Sequence, residues 1–376
     1  MLIVGRKAYD ANFAALTKSL SLDRAVRSGL RVLVFEQTTA APLGLKLEET
    51  SARDAFPTSP GQRLLAGLEP ADLRDLRGQS DLIEPYPEAP EWSKDRWPPR
   101  CWKWGNRGIL ATYVYRKPHY SPFVPALSCG FDLAQSPLLQ ARLVKGSVTL
   151  CQVDVTPRYA ADPVPTRPVD NMLRELSRPG EAQLRCSYVG ASAREFVKRF
   201  GLAPERFTPD SSGIVLVGAE PVDAATASTI ERAAQRGATV VLLPGAVLPG
   251  AFGLKLQDAR LFIGRMTGSP LLAGMNDGDL YLKAWQTLPT VTSADGWTTL
   301  VDPGLLATKQ AGAGRIVACT LDPDKLGKTR GRVKALRFWD ILLANLGAEC
   351  TVSLTAPAPP AYEDNEWEQI PPCMGW

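Results

Sequence analysis

The sequence predicts an α/β protein in which one strand and helix unit is written twice in tandem with parallel sheets, and three blocks repeated in the same order predict it. First, Leu2-Ile3-Val4-Gly5, a helical stretch ending Arg24-Ala25-Val26-Arg27-Ser28-Gly29, and Arg31-Val32-Leu33-Val34-Phe35 recur as Val215-Leu216-Val217-Gly218, Arg232-Ala233-Ala234-Gln235-Arg236-Gly237, and Thr239-Val240-Val241-Leu242-Leu243. Second, Leu64-Leu65-Ala66-Gly67-Leu68 with Asp72-Leu73 recurs as Leu271-Leu272-Ala273-Gly274-Met275 with Asp279-Leu280. Third, the run from Gly146 to Asp154 recurs as Gly314 to Asp322.

Each block has a local physical reading. Gly29 and Gly237 end their helices as glycines do just past a C-cap, and the β-branched runs behind them are short and unalternating. Strands of that kind are buried on both faces. The third block leads in each copy into a helix, around Val169 to Leu176 and around Val333 to Leu346. Strands alternating with helices favour a parallel sheet covered on both sides, because parallel strands need crossover connections. The expectation is two flavodoxin-like or Rossmann-like three-layer domains, at 1–182 and 183–350, followed by a tail at 351–376 rich in Pro, acidic and aromatic residues.

The copies differ in two places. The first carries a long insert, 79–145, holding Trp92, Trp97, Trp102, Trp104, several prolines and the chain's single histidine, His119. Loops beyond ~15 residues in compact domains are functional or disordered as a rule, and the tryptophan density argues for an ordered surface. The second copy is preceded by a further strand and helix, Leu184 to Val189 and Ala193 to Phe200, that the first lacks. The expectation is that the first strand of copy one is supplied upstream or lost, so that the chain is the C-terminal portion of a longer polypeptide.

Composition excludes several classes. With 45% apolar residues the 376-residue chain can build full cores, and a net charge of +4, from 43 basic and 39 acidic residues, gives no nucleic-acid footprint. No apolar run approaches the ~20 residues of a membrane span, and the start lacks the features of a signal peptide. The compartment stays open between the bacterial cytoplasm and, if an upstream signal is missing, export. The seven cysteines are widely spaced and never form C-x-x-C, so neither zinc nor a disulfide framework is expected. Cys151 and Cys319 read as small buried hydrophobes. No metal is expected on the cysteine spacing, and no cofactor is expected, neither nucleotide-binding glycine pattern being present.

In open α/β sheets ligands bind beyond the carboxyl ends of the strands. That rule selects Glu36 and Gln37 after the second strand and Asp154 after the third block, answered in copy two by Pro244, Gly245 and Asp322. Any site therefore belongs to copy one, although Glu36 can equally cap a helix or pair with an arginine. Glycosidic chemistry needs two carboxyl groups ~5 to 10 Å apart across a sugar, and Glu36, Asp132 and Asp154 are the candidates. The insert tryptophans can stack on sugar faces or pack in a core. A cysteine nucleophile would need a sharp turn between glycines and a histidine; Cys129 before Gly130, with His119, comes nearest but follows the proline-broken stretch Pro118 to Pro125. Aromatics and prolines in the tail suggest that it docks on another surface or stays solvated.

Several phrases carry a resemblance: Leu30 to Gln37; Leu65 to Leu68 with Asp72 to Asp75 and Arg77-Gly78; Lys103 to Gly108; Cys129 to Leu133 with Ser136 to Leu138; and Cys151 to Thr156 with Arg158-Tyr159. Together they resemble the C-terminal region of large bacterial proteins of the family 2 glycoside hydrolase, β-galactosidase-like type, a region similar to class I glutamine amidotransferase domains without their catalytic residues. The resemblance covers most of 1–175 and, more weakly, 210–350. It implies a non-catalytic accessory or assembly module of a carbohydrate-active hydrolase, which helps build oligomers and walls a sugar site. Its partners would be a catalytic glycosidase domain or subunit, carbohydrate, and further copies of the chain. Gln37, Trp102, Trp104, Asn106 and His119 would lie nearest the ligand. The competing expectation is a stand-alone glycosidase using the strand-end carboxylates of the first domain.

Overall fold

The structure is a computed structural model that describes residues 1–9, 15, 21–39, 43, 45–58, 62–82, 107–118, 122–130, 133–143, 145–178, 184–248, 253–292, 296–327, 330–348 and 350. The chain divides into two compact units, one built mainly from Met1–Pro118 and Phe123–Gly180, the other mainly from Glu181–Ser353. Both are mixed α/β, with parallel and antiparallel pairings in one sheet. Among the described residues no helix is long and apolar enough to cross a membrane.

In the first unit the elements are β1 (Leu2–Val4), α1 (Leu22–Arg27), β2 (Arg31–Val34), β3 (Leu47–Ala52), β4 (Phe56–Pro57), β5 (Gly78–Gln79), β6 (Arg107–Ile109), β7 (Ala111–Arg116), β8 (Phe123–Cys129), β9 (Gln135–Arg142), β10 (Ser147–Cys151) and α2 (Pro163–Ser177). The sheet runs β1-β2-β10-β9-β7-β3, with β8 on β9 and β4 on β8. β1, β2 and β10 are parallel, with Leu2 and Val148 both opposite Val32. Side chains alternate across these strands. Val32 and Val34 face a cluster with Val26 of α1, whereas Leu33 and Phe35 face one with Val169, Met172 and Leu176 of α2. Burial on both faces is why these strands read as continuous apolar runs.

The expected all-parallel sheet is corrected beyond β10. β9 pairs antiparallel to β10, and β7, β8 and β3 continue antiparallel. The cause is connection length: only 143–146 separate β9 from β10, and Leu143 N donates to Gly146 O at 2.9 Å, which makes a hairpin where a parallel crossover would need a dozen residues or more. Within the expected surface insert, β7, β8 and β9 therefore build the sheet itself, while β6 pairs with β5 in a separate two-stranded sheet. Cys129 likewise ends a strand. Pro125 is tolerated inside β8 because the ladder with β9 shifts register between Pro125 and Leu127.

The second unit contains β11 (Cys186–Val189), α3 (Ala191–Lys198), β12 (Glu205–Arg206), β13 (Ile214–Val217), α4 (Ala224–Gln235), β14 (Thr239–Leu242), β15 (Leu256–Ile263), β16 (Arg265–Met266), β17 (Tyr281–Val291), β18 (Thr298–Asp302), β19 (Leu306–Ala311), β20 (Gly314–Cys319) and α5 (Arg330–Asn345). Its sheet runs β12-β11-β13-β14-β20-β19-β18-β16, parallel from β12 to β20 and antiparallel after it. β15 and β17 form a separate two-stranded ribbon. Val215, Val240 and Ile316 pack on Ile230 and Ala234 of α4.

Individual contacts recur between the units. Gly29 and Gly237 sit at φ 113° and 117°, a region that favours glycine, where α1 and α4 end. The chain then crosses so close to the next strand that a Cβ on Gly146 would collide with Val26 O and Leu30 O, and one on Gly314 with Ala234 O and Ala238 O. Asn171 of α2 donates its amide to Leu64 O and Ala66 O at 3.3 and 2.9 Å; Asn345 of α5 does so to Leu271 O and Ala273 O at 2.9 and 3.0 Å. Glu69 N donates to Asp72 at 2.8 Å, as Asn276 N does to Asp279 at 3.0 Å.

Candidate functional site

Three parallel strands end side by side in the first unit, and the residues that follow them converge. β1 ends before Gly5, Arg6 and Lys7; β2 runs through Phe35 into Glu36 and Gln37; β10 runs into Gln152 and Asp154. Backbone bonds hold the ends in step, with Phe35 N donating to Val4 O at 2.9 Å and Lys7 N to Glu36 O at 2.8 Å. Of the expected site residues, Glu36, Gln37 and Asp154 are thus brought together. Asp132, Trp102, Trp104, Asn106 and His119 lie outside the described residues, as do Trp92 and Trp97.

Glu36 is fully buried, and its Oε1 accepts from Val155 N and Thr156 N, both at 3.0 Å, while the Thr156 hydroxyl donates to Oε2 at 2.7 Å. The carboxylate thereby caps the short 3-10 turn Thr156–Arg158. Gln37 is equally committed. Its Oε1 accepts from Tyr9 N at 2.7 Å, its Nε2 donates to Gly5 O and Phe35 O at 2.7 Å each, and its backbone N donates to Gln152 Oε1 at 3.1 Å. Gln152 passes the chain on to the Tyr115 hydroxyl at 3.1 Å. Burial pushes that phenol well above its ordinary range.

Asp154 differs from its neighbours. Its side chain is 2% exposed, Oδ1 lies 3.5 Å from Arg6 Nη2, and Oδ2 has no hydrogen-bond partner among the described residues. Oδ2 instead packs against Gly78, where an added Cβ would strike it. Arg6 is shared with Asp81, whose backbone O accepts from Lys7 Nζ at 2.9 Å. Arg158 donates to Leu76 O at 2.8 Å and Asp75 O at 2.7 Å and pairs with Asp162. Burial pushes the Asp154 carboxyl up to about 6; Arg6 works against that, and the Glu36 carboxylate adds to it.

Catalysis by these groups meets a geometric obstacle. Glycosidic cleavage needs two carboxyl groups open to a sugar, and Glu36 and Asp154 are 0% and 1% exposed. Nucleophilic thiols fare no better, since the thiolate is the reactive form. Burial pushes Cys129 up to about 12 against the pull of Lys117, and pushes Cys151 well above the ordinary thiol range. What the arrangement does is lock three strand ends to the 3-10 turn that precedes α2.

Arg6, Asp81, Gly78, Arg158 and Gln152 are not among the site residues expected from the sequence, although Gly78, Gln152 and Arg158 stand in the phrases that carry the resemblance. Arg6 had a usable signal, because it follows β1 in the same strand-end position that singled out Glu36 and Asp154. Gly78 and Asp81 had no such positional signal, being brought in only by the tertiary fold.

The second unit is built differently at the matching place. Pro244 and Gly245 line a cleft of about 50 Å³ with Leu243, Cys319, Thr320 and Lys325. Asp322 caps a 3-10 turn through Asp324 N at 3.0 Å. At the start of α3, Glu220 accepts from Ser192 N at 2.7 Å and from its hydroxyl at 2.5 Å, so the chain's own carboxylate fills the position an anion would favour.

Fold and site together define a mixed α/β protein whose strand-end polar network is internal. No protein-family model and no curated protein matches the chain. Among solved structures it is similar to the cold-adapted β-galactosidase from Rahnella sp. R3, with 11% identity, a TM-score of 0.32, and coverage of 52% of this chain and 36% of that one. It is also similar to Gan42B, a GH42 β-galactosidase from G. stearothermophilus (9% identity, TM-score 0.28, 50% and 34% covered). A third is the exo-β-1,4-mannosidase Op5Man5 from Opitutaceae bacterium strain TAV5 (11% identity, TM-score 0.29, 49% and 38% covered). The matched part is about a third of each of those chains, and at these scores nothing about the site follows from the likeness.

Proposed function

We propose that the chain is a non-catalytic accessory module of a carbohydrate-active hydrolase, made of two tandem flavodoxin-like, amidotransferase-like units that hold an assembly together. The observation that carries the non-catalytic part is the commitment of the strand-end groups: Glu36 and Gln37 spend their polar atoms on backbone and turn, and the Cys129 and Cys151 thiols are buried. The tandem reading is supported by contacts that recur within each unit: Gly146 against Val26 and Leu30 as Gly314 is against Ala234 and Ala238, and Asn171 on Ala66 O as Asn345 is on Ala273 O. The carbohydrate-active context rests on the sequence phrases from Leu30 to Tyr159. In that context the partners are a catalytic glycosidase domain or subunit and further copies of the chain.

The test is to assay the purified chain against a panel of aryl-glycosides, alone and with a candidate catalytic partner. The expected result is no turnover by the chain alone and a stable complex or homo-oligomer by sedimentation. Turnover by the chain alone that Glu36→Gln or Asp154→Asn abolishes would overturn the proposal in favour of a stand-alone hydrolase.

A further inference from the structure

Four of the five large hydrophobic side chains exposed in the described part of the second unit lie on one element, the β15–β17 ribbon: Leu256 (42%), Phe262 (37%), Tyr281 (36%) and Trp285 (57%). Their rings form a continuous patch. Phe262 meets Trp285 edge-on at 4.6 Å and Tyr281 at 5.9 Å between centroids. Two cations cap the patch, Arg260 5.0 Å from the Trp285 ring centre and Lys334 of α5 5.4 Å from that of Tyr281. Among the described strands β15 pairs with β17 alone, so its other edge offers eight residues of backbone to a further strand. An aromatic patch with cations beside an open strand edge suits an extended segment that carries carboxylates and aromatic rings.

Two stretches of the chain have that character, Glu84 to Trp92 with three carboxylates and two rings in nine residues, and a denser one in the C-terminal tail. Tyr362-Glu363-Asp364-Asn365-Glu366-Trp367-Glu368 places four carboxylates and two aromatic rings in seven residues, and no other stretch of the sequence has that composition. Reach is sufficient. Cys350 Sγ lies 4.0 Å from Asp340 O, six residues along α5 from Lys334, which is about 9 Å of helix. The dozen residues from Cys350 to Tyr362 span up to ~40 Å when extended. We propose that the segment Tyr362 to Glu368 docks on the β15–β17 ribbon of its own chain, with its carboxylates toward Arg260 and Lys334 and its rings against Phe262 and Trp285. This goes beyond the accessory-module reading and stands without it.

Hydrogen exchange read by mass spectrometry on the full chain tests this, following the peptide that covers 362–370. In the wild type its amides should exchange at least ~10-fold more slowly than in a synthetic peptide of the same sequence, independently of protein concentration. Trp285→Ala and, separately, Arg260→Glu should return exchange to the peptide rate; both residues are exposed, and intact protection across β13 and β14 will show that the fold is kept. Raising the salt to ~0.5 M should speed exchange in the wild type, because the cation contacts are screened. Peptide-rate exchange in the wild type, or protection that neither variant changes, overturns the proposal. So does protection that fades on dilution, which would seat the segment on a second copy.

Discussion

Burial sets the behaviour of the strand-end carboxyls in opposite ways at the residue scale. Glu36 is buried and fully bonded, so Glu36→Gln removes the charge that holds Val155 N and Thr156 N while keeping one acceptor oxygen. A loss of about 2 kcal/mol in urea denaturation is expected, with no change in any activity of a complex. Asp154 is buried with one oxygen lacking a bond, and its pKa of about 6 lies above the 3.8 of the unfolded chain. The folded state therefore binds the proton more tightly. Its stability advantage is complete below pH ~4 and is lost as pH rises through ~6, a change of roughly 3 kcal/mol for this group. Asp154→Asn should flatten that dependence, raising the denaturation midpoint at pH 8 relative to wild type while leaving it nearly unchanged at pH 4. A wild-type midpoint that does not fall between pH 4 and 7, once other groups are matched by the variant, would count against this account. Glu36, Gln37 and Asp154 were legible because a parallel strand hands its next residue to a known place. Asp81 and Gly78 were not, because no local pattern connects residues 6, 78, 81 and 154.

Elements show where sequence patterns stop informing. The strands β1, β2, β13 and β14 could be read directly, since short β-branched runs with a glycine before or after them leave little choice. α2 starts earlier than its apolar pattern, at Pro163, because prolines suit a first turn and Asp162 caps it through Val164 N at 3.1 Å. The antiparallel half was hidden by burial on both faces: Ala111–Arg116 and Gln135–Arg142 lack the polar alternation that marks an antiparallel strand with one wet face. Close approach of α1 to β10 and of α4 to β20 makes a paired prediction. Gly146→Ala and Gly314→Ala should each cost at least about 2 kcal/mol, since backbone carbonyls and not flexible side chains occupy the space. Gly268→Ala, with nothing within 4 Å of the added carbon, serves as the control.

On the scale of the whole molecule each unit has apolar clusters of its own, around Leu33 and around Val34 and Val148 on the two faces of the first sheet, and around Val240 and Ile316 in the second unit. Each can therefore be weakened on its own. Asn171→Ala removes two bonds to backbone carbonyls in the first unit and Asn345→Ala the matching two in the second, each bond worth about 1 kcal/mol. Calorimetry should show each variant lowering a different component of the melting curve; one shared transition lowered equally by both would mean that the units melt as one. The buried thiols offer a finer reading of the same point. Cys151 and Cys319 occupy matching positions at the ends of β10 and β20, each with 1% exposure. An alkylating reagent can reach either one only when its own unit opens, so pulsed labelling followed by peptide mapping turns this pair into two clocks, timing the opening of each half separately in a single sample.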